Sequence, residues 1–321
     1  VNHYLAVIGE CLVDVVESET SAPTAHVGGS PLNVAVGLAR MEHDVVFAGR
    51  HGNDDYGRMI ARALRAQGIT SVLEADELPT SVATATLDPT GQASYEFSLE
   101  WSLPAAELLT GRLTEAAGHI EHLHTGSLAA LMQPGASVVK TVFGELRETA
   151  TISYDPNYRP TLVPNRELAR QQVEEFVALA DVVQASTDDL ELLYPERSHY
   201  DTMAAWMELG PALVTVTRGA SGAVALTRSG SAAQSAFSID VADTVGAGDS
   251  FMAATLSSLR SRGLLGSANR QALQEISEHD VAEVLYTAAK AASLTASRFG
   301  AQPPTAQELA AALSNPSATV V

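Results

Sequence analysis

The sequence predicts an α/β domain built on a mostly parallel sheet that helices cover on both faces. Three observations carry that prediction. Short apolar runs alternate with stretches of helical period, and most runs close at glycine or at a polar turn. Composition is the third: 321 residues can bury a substantial core, and 46% hydrophobic with 18% charged residues is ordinary for a folded globular chain.

Taken in order, Leu5-Ala6-Val7-Ile8 closed by Gly9 reads as a central buried strand. Residues 31–41 space Leu32, Val36, Leu38 and Ala39 as a helix does. A strand over 45–48 and a helix over 56–67, ended by Gly68, follow. The rhythm continues with a strand near 119–124, a helix near 137–149, a strand at 151–154 and a helix at 166–180. Val182-Val183, a helix around 203–209, a strand at 213–217 and a helical pattern over 251–260 complete it. Two stretches break the alternation. Residues 12–27 and 81–98 read as strands with turns, and neither runs directly into a helix. Asp88-Pro89-Thr90-Gly91 is a turn signal that makes 83–87 and 93–97 a hairpin. These pieces predict a small sheet projecting from the main body, and residues 314–321 are expected to fray.

Charge narrows the partners. Lys plus Arg number 19 against 38 Asp plus Glu, a formal charge of −19, so neither nucleic acid nor an anionic membrane is an expected partner. An acidic protein still holds a phosphorylated ligand through helix N-termini, a few cations and metal ions. The single cysteine, Cys11, excludes an intrachain disulfide and reads as a buried structural thiol. No apolar run approaches the roughly 18–20 residues that span a bilayer, and the N-terminal segment lacks a signal-peptide pattern. A cytoplasmic protein is expected.

The chemistry is concentrated in Asp243-Thr244-Val245-Gly246-Ala247-Gly248-Asp249-Ser250-Phe251, which leads into a helix. Glycines permit a tight turn and leave amides uncovered, and a helix starting there aims unpaired N–H groups and the positive dipole end at one point. Such a point stabilises a phosphoryl group in transfer, and Asp249 beside it can take a proton from an attacking hydroxyl. Spacing alone leaves a second reading open, in which Asp249 caps a helix and the glycines merely turn the chain. A dinucleotide fingerprint fits poorly, because Phe251 stands where its third glycine belongs. No Gly-x-x-x-x-Gly-Lys-Ser/Thr stretch exists, so this is not a P-loop enzyme.

Asp243–Phe251 resembles the C-terminal signature of the ribokinase-like (PfkB) carbohydrate kinases, and Gly28-Gly29-Ser30-Pro31-Leu32-Asn33-Val34-Ala35 resembles their N-terminal signature. Gly9-Glu10 with Asp14, Gly49-x-x-Gly52-x-Asp54-Asp55-x-Gly57, Asp155-Pro156-Asn157-x-Arg159 and Thr217-x-Gly219-x-x-Gly222 follow in family order along nearly the whole chain. The resemblance implies a three-layer ribokinase-like fold in one domain, residues 1–321, with a small β lid formed by about 10–27 and 81–104. It implies an ATP-dependent phosphotransferase with Asp249 as base and Gly246, Ala247 and Gly248 as the anion-binding turn. Asp14, Gly29, Asn33, Asn157 and Arg159 are its expected sugar contacts, and Ser186, Thr217, Gly219 and Gly222 its expected nucleotide contacts.

The resemblance further implies Mg²⁺, with Asp189 supporting it through water, and a monovalent cation such as K⁺ at Asp243. One departure stands out: where relatives often carry Asn-x-x-Glu, this chain has Ser186-Thr187-Asp188-Asp189. Residues 288–293 resemble a helix bordering the adenine site, although small residues on a packed helix account for them equally. Gly126-Ser127 is expected to line the substrate cleft. Tyr95, Phe97 and Trp101 are expected above the sugar, though hairpin packing explains them nearly as well.

His122 and His124 alternate around Leu123 in a strand pattern without a completing cysteine or close carboxylate, so a metal site is not expected there. The version of the Asp155–Arg159 motif resembles fructokinases and 2-keto-3-deoxygluconate kinases more than ribokinases. Fructose is therefore the first expected acceptor, 2-keto-3-deoxygluconate the second and ribose or a nucleoside the third. A sugar phosphate is disfavoured because residues 11–27 and 81–102 contain no Lys or Arg. The resemblance also suggests a homodimer through the lids. Rival readings are a non-catalytic sugar or nucleotide sensor on the same fold, and an NAD-dependent oxidoreductase, which lacks its fingerprint.

Overall fold

The structure is a computed structural model that describes residues 3–18, 21–87 and 93–314. Thirteen strands are present among those residues: β1 Tyr4–Ile8, β2 Leu12–Ser18, β3 Ser21–Gly28, β4 Val45–Ala48, β5 Thr70–Ser71, β6 Val82–Leu87, β7 Ala93–Ser98, β8 Ile120–Gly126, β9 Thr151–Asp155, β10 Val182–Ser186, β11 Leu213–Thr217, β12 Ala223–Thr227 and β13 Gly230–Gln234. Nine form one sheet in the order β13-β12-β11-β10-β9-β8-β1-β4-β5, and β3-β2-β6-β7 form a second. From β5 to β11 every pairing of the large sheet is parallel; β12 and β13 close one edge antiparallel.

Alternation along each strand sorts side chains onto the two faces. Leu5, Val7, Val45 and Phe47 belong to one core with the Ser30–Arg40, Ala247–Ser261 and Glu278–Ala296 helices. Ala6, Ile8, Val46, Ala48, Leu123 and Ile152 belong to the other, against the Ala106–Ala117, Gly135–Leu146, Arg166–Leu179 and His199–Leu209 helices. These are the three layers. The chain returns to opposite sides of β1, to β4 on one side and later to β8 on the other, so a topological switch point lies at the carboxyl ends of β1 and β8.

Most expected elements appear within two residues of their expected bounds. The helix expected around 203–209 instead begins at His199, where the Ser198 side chain accepts from Asp201 N. The Ala106–Ala117 helix and the β12–β13 hairpin have no counterpart in the sequence expectations. In the second sheet β2 pairs antiparallel with β3 and parallel with β6, and β6 pairs antiparallel with β7. The strands of the expected hairpin thus pair with each other; its turn at 88–91 lies outside the described residues. No described helix is long and apolar enough to cross a membrane.

Candidate active site

The carboxyl ends of β1, β8, β9, β10 and β11 share one edge, since Val7 lies beside His124, Gly126 beside Asp155 and Ser186 beside Thr217. The Ala247–Ser261 helix starts above that edge. Gly246 is its N-cap in the left-handed region (φ 75°), where a Cβ would stand 2.6 Å from Ala301 Cβ, so glycine is required. Asp243 shapes the turn from the other end. One carboxylate oxygen accepts from Val245 N (3.0 Å) and the other from Gly300 N (2.9 Å). Ala247 N is engaged with Thr244 O, whereas the amides of Gly248 and Asp249 have no acceptor among the described residues. Of the expected turn, the Ala247 amide is therefore already engaged, and the free amides at this helix N-terminus include those of Gly248 and Asp249.

Asp249 sits half-buried in the first helical turn, opposite the N-terminus of the Ser30–Arg40 helix. Its Oδ1 accepts from Ser30 Oγ at 2.6 Å and its Oδ2 from Asn33 Nδ2 at 2.8 Å. The two helices approach closely because Gly37 faces Ala253, where an added Cβ would come within 2.7 Å. Burial raises the Asp249 pKa, while the two hydrogen bonds and the nearby Arg159 charge oppose that rise. Both bonds leave lone pairs on the carboxylate, so it is held in place and remains able to accept a proton.

Gly29 precedes that helix at φ 114°, and a Cβ on it would come 2.5 Å from Glu10 O. At Gly28 a Cβ would meet Asp14 Oδ2 at 2.2 Å, so the Asp14 carboxylate packs directly on the signature glycines. Asp14 is exposed along β2, yet surrounding protein still desolvates it and raises its pKa. Pairing places Asp14, His26, Ala83 and Phe97 in one row across the small sheet. Phe97 therefore shares the face that carries Asp14. The side chain of Tyr95 lies outside the described residues. Trp101 follows the packing reading: it is buried, packs on Gly135 and donates to Ala129 O at 3.1 Å, which makes it an anchor for the returning chain.

Asp155 closes β9 as a buried carboxyl. Its Oδ1 accepts from Asn157 N (3.0 Å) and its Oδ2 from Gln184 Nε2 (2.8 Å). Asn157 stands at φ 36°, a strained value for a non-glycine residue. Arg159 is exposed, bonds Tyr158 O and acts on Asp249 through its charge. Burial, then the charges of Asp189 and Asp249, push the Asp155 pKa well above the carboxylate range. Gln184 also donates to Gly248 O at 2.9 Å, and its Oε1 is buried without a partner.

Asp189 is largely occupied. One oxygen accepts from both Ser186 N and Ser186 Oγ, and the other from Tyr158 N, in a capping box at the Thr187–Leu193 helix. That arrangement fits a water-mediated role toward a cation and does not fit direct coordination. Thr217 ends β11, and Gly219 (φ 51°) and Gly222 (φ 88°) turn the chain into β12, with Arg218 N donating to Gly222 O. These residues share the ligand edge but stand two strands from Asp155.

Sequence reasoning assigned no role to Ser30, Asp155, Gln184 or Glu10. The signals were present: Gln184 is a polar residue inside an apolar strand, and Glu10 is a charge at the end of one. His122 and His124 bond Thr151 and Ser153 hydroxyls at 2.8 Å, and no group of three or more His, Cys, Asp or Glu side chains among the described residues is arranged to hold a metal ion.

Comparison with known proteins agrees in family and fold. The pfkB family carbohydrate kinase pattern matches residues 2–308. A fructokinase of Escherichia coli is 32% identical over 263 residues, covering 80% of this chain and 85% of that protein. A crystal structure of fructokinase with bound ATP from Xylella fastidiosa has the same fold, with a TM-score of 0.84 at 24% identity over 98% of this chain and 99% of the other. A fructokinase from Vibrio cholerae O395, in a form binding fructose, ADP and calcium ion, gives a TM-score of 0.75 at 25% identity over 98% of both chains.

Proposed function

The chain belongs to the pfkB family of carbohydrate kinases, and from that membership we propose that it transfers the γ-phosphoryl group of ATP to a hydroxyl of fructose, with Asp249 as the base. The observation that carries the reading is the Asp249 carboxylate, fixed by Ser30 and Asn33 beside two unpaired helix amides. In the Michaelis complex the sugar lies between Asp14 and Gly29 on one side and the Asn157–Arg159 turn on the other. Asp249 accepts the hydroxyl proton as the oxygen attacks the γ-phosphorus in line, the bond to the β–γ bridging oxygen breaks and ADP leaves, and the Gly248 and Asp249 amides take up charge on the transferring group. Arg159 holds the phosphoryl oxygens. Thr217, Gly219 and Gly222 take the nucleotide, and Asp243 braces the loop where a monovalent cation would sit.

Magnesium would neutralise the triphosphate, held through water by Asp189, with Asp155 as a second carboxyl close to it. The β3-β2-β6-β7 sheet acts as a lid that excludes water as the sugar binds, and the dimer forms through it. Support for fructose comes from the named relatives and from the absence of Lys or Arg in residues 11–27 and 81–102. The test is ATP consumption with Mg²⁺ over fructose, 2-keto-3-deoxygluconate, ribose, adenosine and fructose 6-phosphate. Fructose should stimulate most. Stimulation by another member reassigns the acceptor, and sugar binding without turnover overturns the catalytic reading. Light scattering of the purified chain decides the dimer.

A further inference from the structure

Glu10 follows β1 at the switch point of the sheet, 5% exposed and with no cation bonded to it among the described residues. Its Oε2 accepts from Ala129 N at 3.0 Å, and the Ser127 side chain is near enough to favour its charged form. Ser127–Ala130 is the single helical turn after β8, and Ser127 enters it at φ 56°. On the opposite side, the Glu10 carbonyl packs against Gly29, leaving no room for a Cβ. Gly29 in turn accepts from Asn33 N at 2.9 Å, and Asn33 holds Asp249.

The same turn receives the chain returning from the small sheet. Ala129 N donates to Glu10, the point from which β2 departs, and Ala129 O accepts from Trp101 Nε1, just beyond β7. The first and last connections of the small sheet are therefore fastened to one residue of the body, Ala129. Ser81 Oγ and Glu100 bond each other nearby, at the entry to β6 and the exit of β7.

We propose that Glu10 is a positioning residue for the sugar acceptor, whose carboxyl clasps the Ser127–Ala130 turn while its own peptide seats Gly29, so that one residue sets the spacing of the cleft walls and the root of the small sheet. The inference rests on the assignment of this cleft to the sugar. An unpaired carboxyl is an unfavourable way to fill buried volume, because desolvation raises its free energy unless donors converge on it. Burial here pushes the Glu10 pKa up to about 7, against the opposing influence of Ser127 and the Ala129 amide. The charged or titratable neighbours that act on this segment are Asp249, Cys11 and Arg50.

Glu10→Ala removes the clasp, and Glu10→Gln keeps its shape and one acceptor. Steady-state kinetics of the purified chain, with the sugar that stimulates it, should show the sugar KM raised about tenfold in Glu10→Ala, with the ATP KM within about twofold of wild type. Glu10→Gln should recover most of the sugar KM. An unchanged sugar KM, an equal rise of both KM values, or a Gln variant no better than Ala overturns the proposal. Amide hydrogen exchange supplies a readout free of turnover. Peptides spanning 126–132 and 28–34 should exchange faster in Glu10→Ala than in wild type, while those of β9 and β10 do not change. Wild-type rates at both peptides overturn the clasp. A wild-type chain that no sugar stimulates defeats the acceptor assignment, and the exchange experiment still decides Glu10.

Discussion

The two sheets of this protein are built on different physical terms. In the large sheet β4 and β9 are buried at every position, β1 and β8 at all but one, and helices seal both faces. In the small sheet only one face finds a core. Val13 and Val15 are buried with the main cluster, and Ala25, Val27 and Val82 pack against it. The row through Asp14 and His26 faces outward, and Glu96, Phe97 and Ser98 of β7 are exposed. The centre of the large sheet is supported by burial on both faces as well as by its ladders. The small sheet depends on where it is fastened: at Glu10 and Trp101, and at the Arg50 guanidinium, which bonds Asp76 and the Leu78 and Pro79 carbonyls just before β6. The proposed catalytic groups stand on the large sheet and its helices, while the small sheet carries Asp14 and would supply one wall of the cleft. Precision comes from the rigid body and access from the weakly supported element.

That comparison can be sharpened from both sides. The largest effect is expected at the base: Asp249→Asn should lower turnover by about 10²–10⁴ while the melting temperature scarcely moves, because Asn retains bonds to Ser30 and Asn33. Turnover near that of wild type would remove Asp249 from the mechanism. Next comes the body itself. Leu123→Ala, at a wholly buried position of β8, should cost about 2–5 kcal/mol in urea unfolding.

The buried histidines of the same strand give a pH signature. Burial lowers the pKa of His122 well below its usual value and that of His124 to about 3, so both are neutral in the fold. The unfolded chain binds their protons below about pH 6.5, and stability present at neutral pH is lost as pH falls through that value. Between pH 6.5 and 5 the loss is about 1.6 kcal/mol per ring. A urea midpoint flat across that window in wild type, and unaltered by His124→Asn, would show that the hydroxyl partners sustain the charged rings. The smallest effect belongs to the small sheet. Val16→Ala, half-buried on β2, should cost about 1 kcal/mol or less and leave the ATP KM unchanged. A loss as large as that of Leu123→Ala would erase the distinction between the sheets.

Much of the body was legible because its signals are local. Leu5–Ile8 is a continuous apolar run closed by glycine, and a strand buried on both faces needs nothing more to be recognised. The Ala106–Ala117 helix was missed because Gly111 interrupts a pattern with only three buried positions, and no side chain caps its start. The β12–β13 hairpin was missed because Ala, Thr, Ser and Gly dominate it, residues that fit an edge of a packed sheet without announcing a strand. Within the site, Asp249 and the glycine turn were readable from spacing once a helix was expected to follow. Asp189 illustrates the reverse: its sequence position invites a cation role, and its oxygens are largely engaged in a cap.

The sequence by itself determined the alternation of strands and helices, the glycine turn at Gly246–Gly248 and the acidic residue in the helical turn that follows it. These depend on residue period, on glycine at a left-handed position and on helix ends, all of which act within a few residues of chain. The tertiary structure alone decided that Ser30 and Asn33, more than two hundred residues away, hold Asp249, and that Glu10 and Trp101 bond the same residue, Ala129. Hydrogen bonds between distant segments form only after packing has brought their backbones together. Close approach at Gly37, Gly28 and Gly29 sets those distances, and no local pattern encodes which partner will be found there.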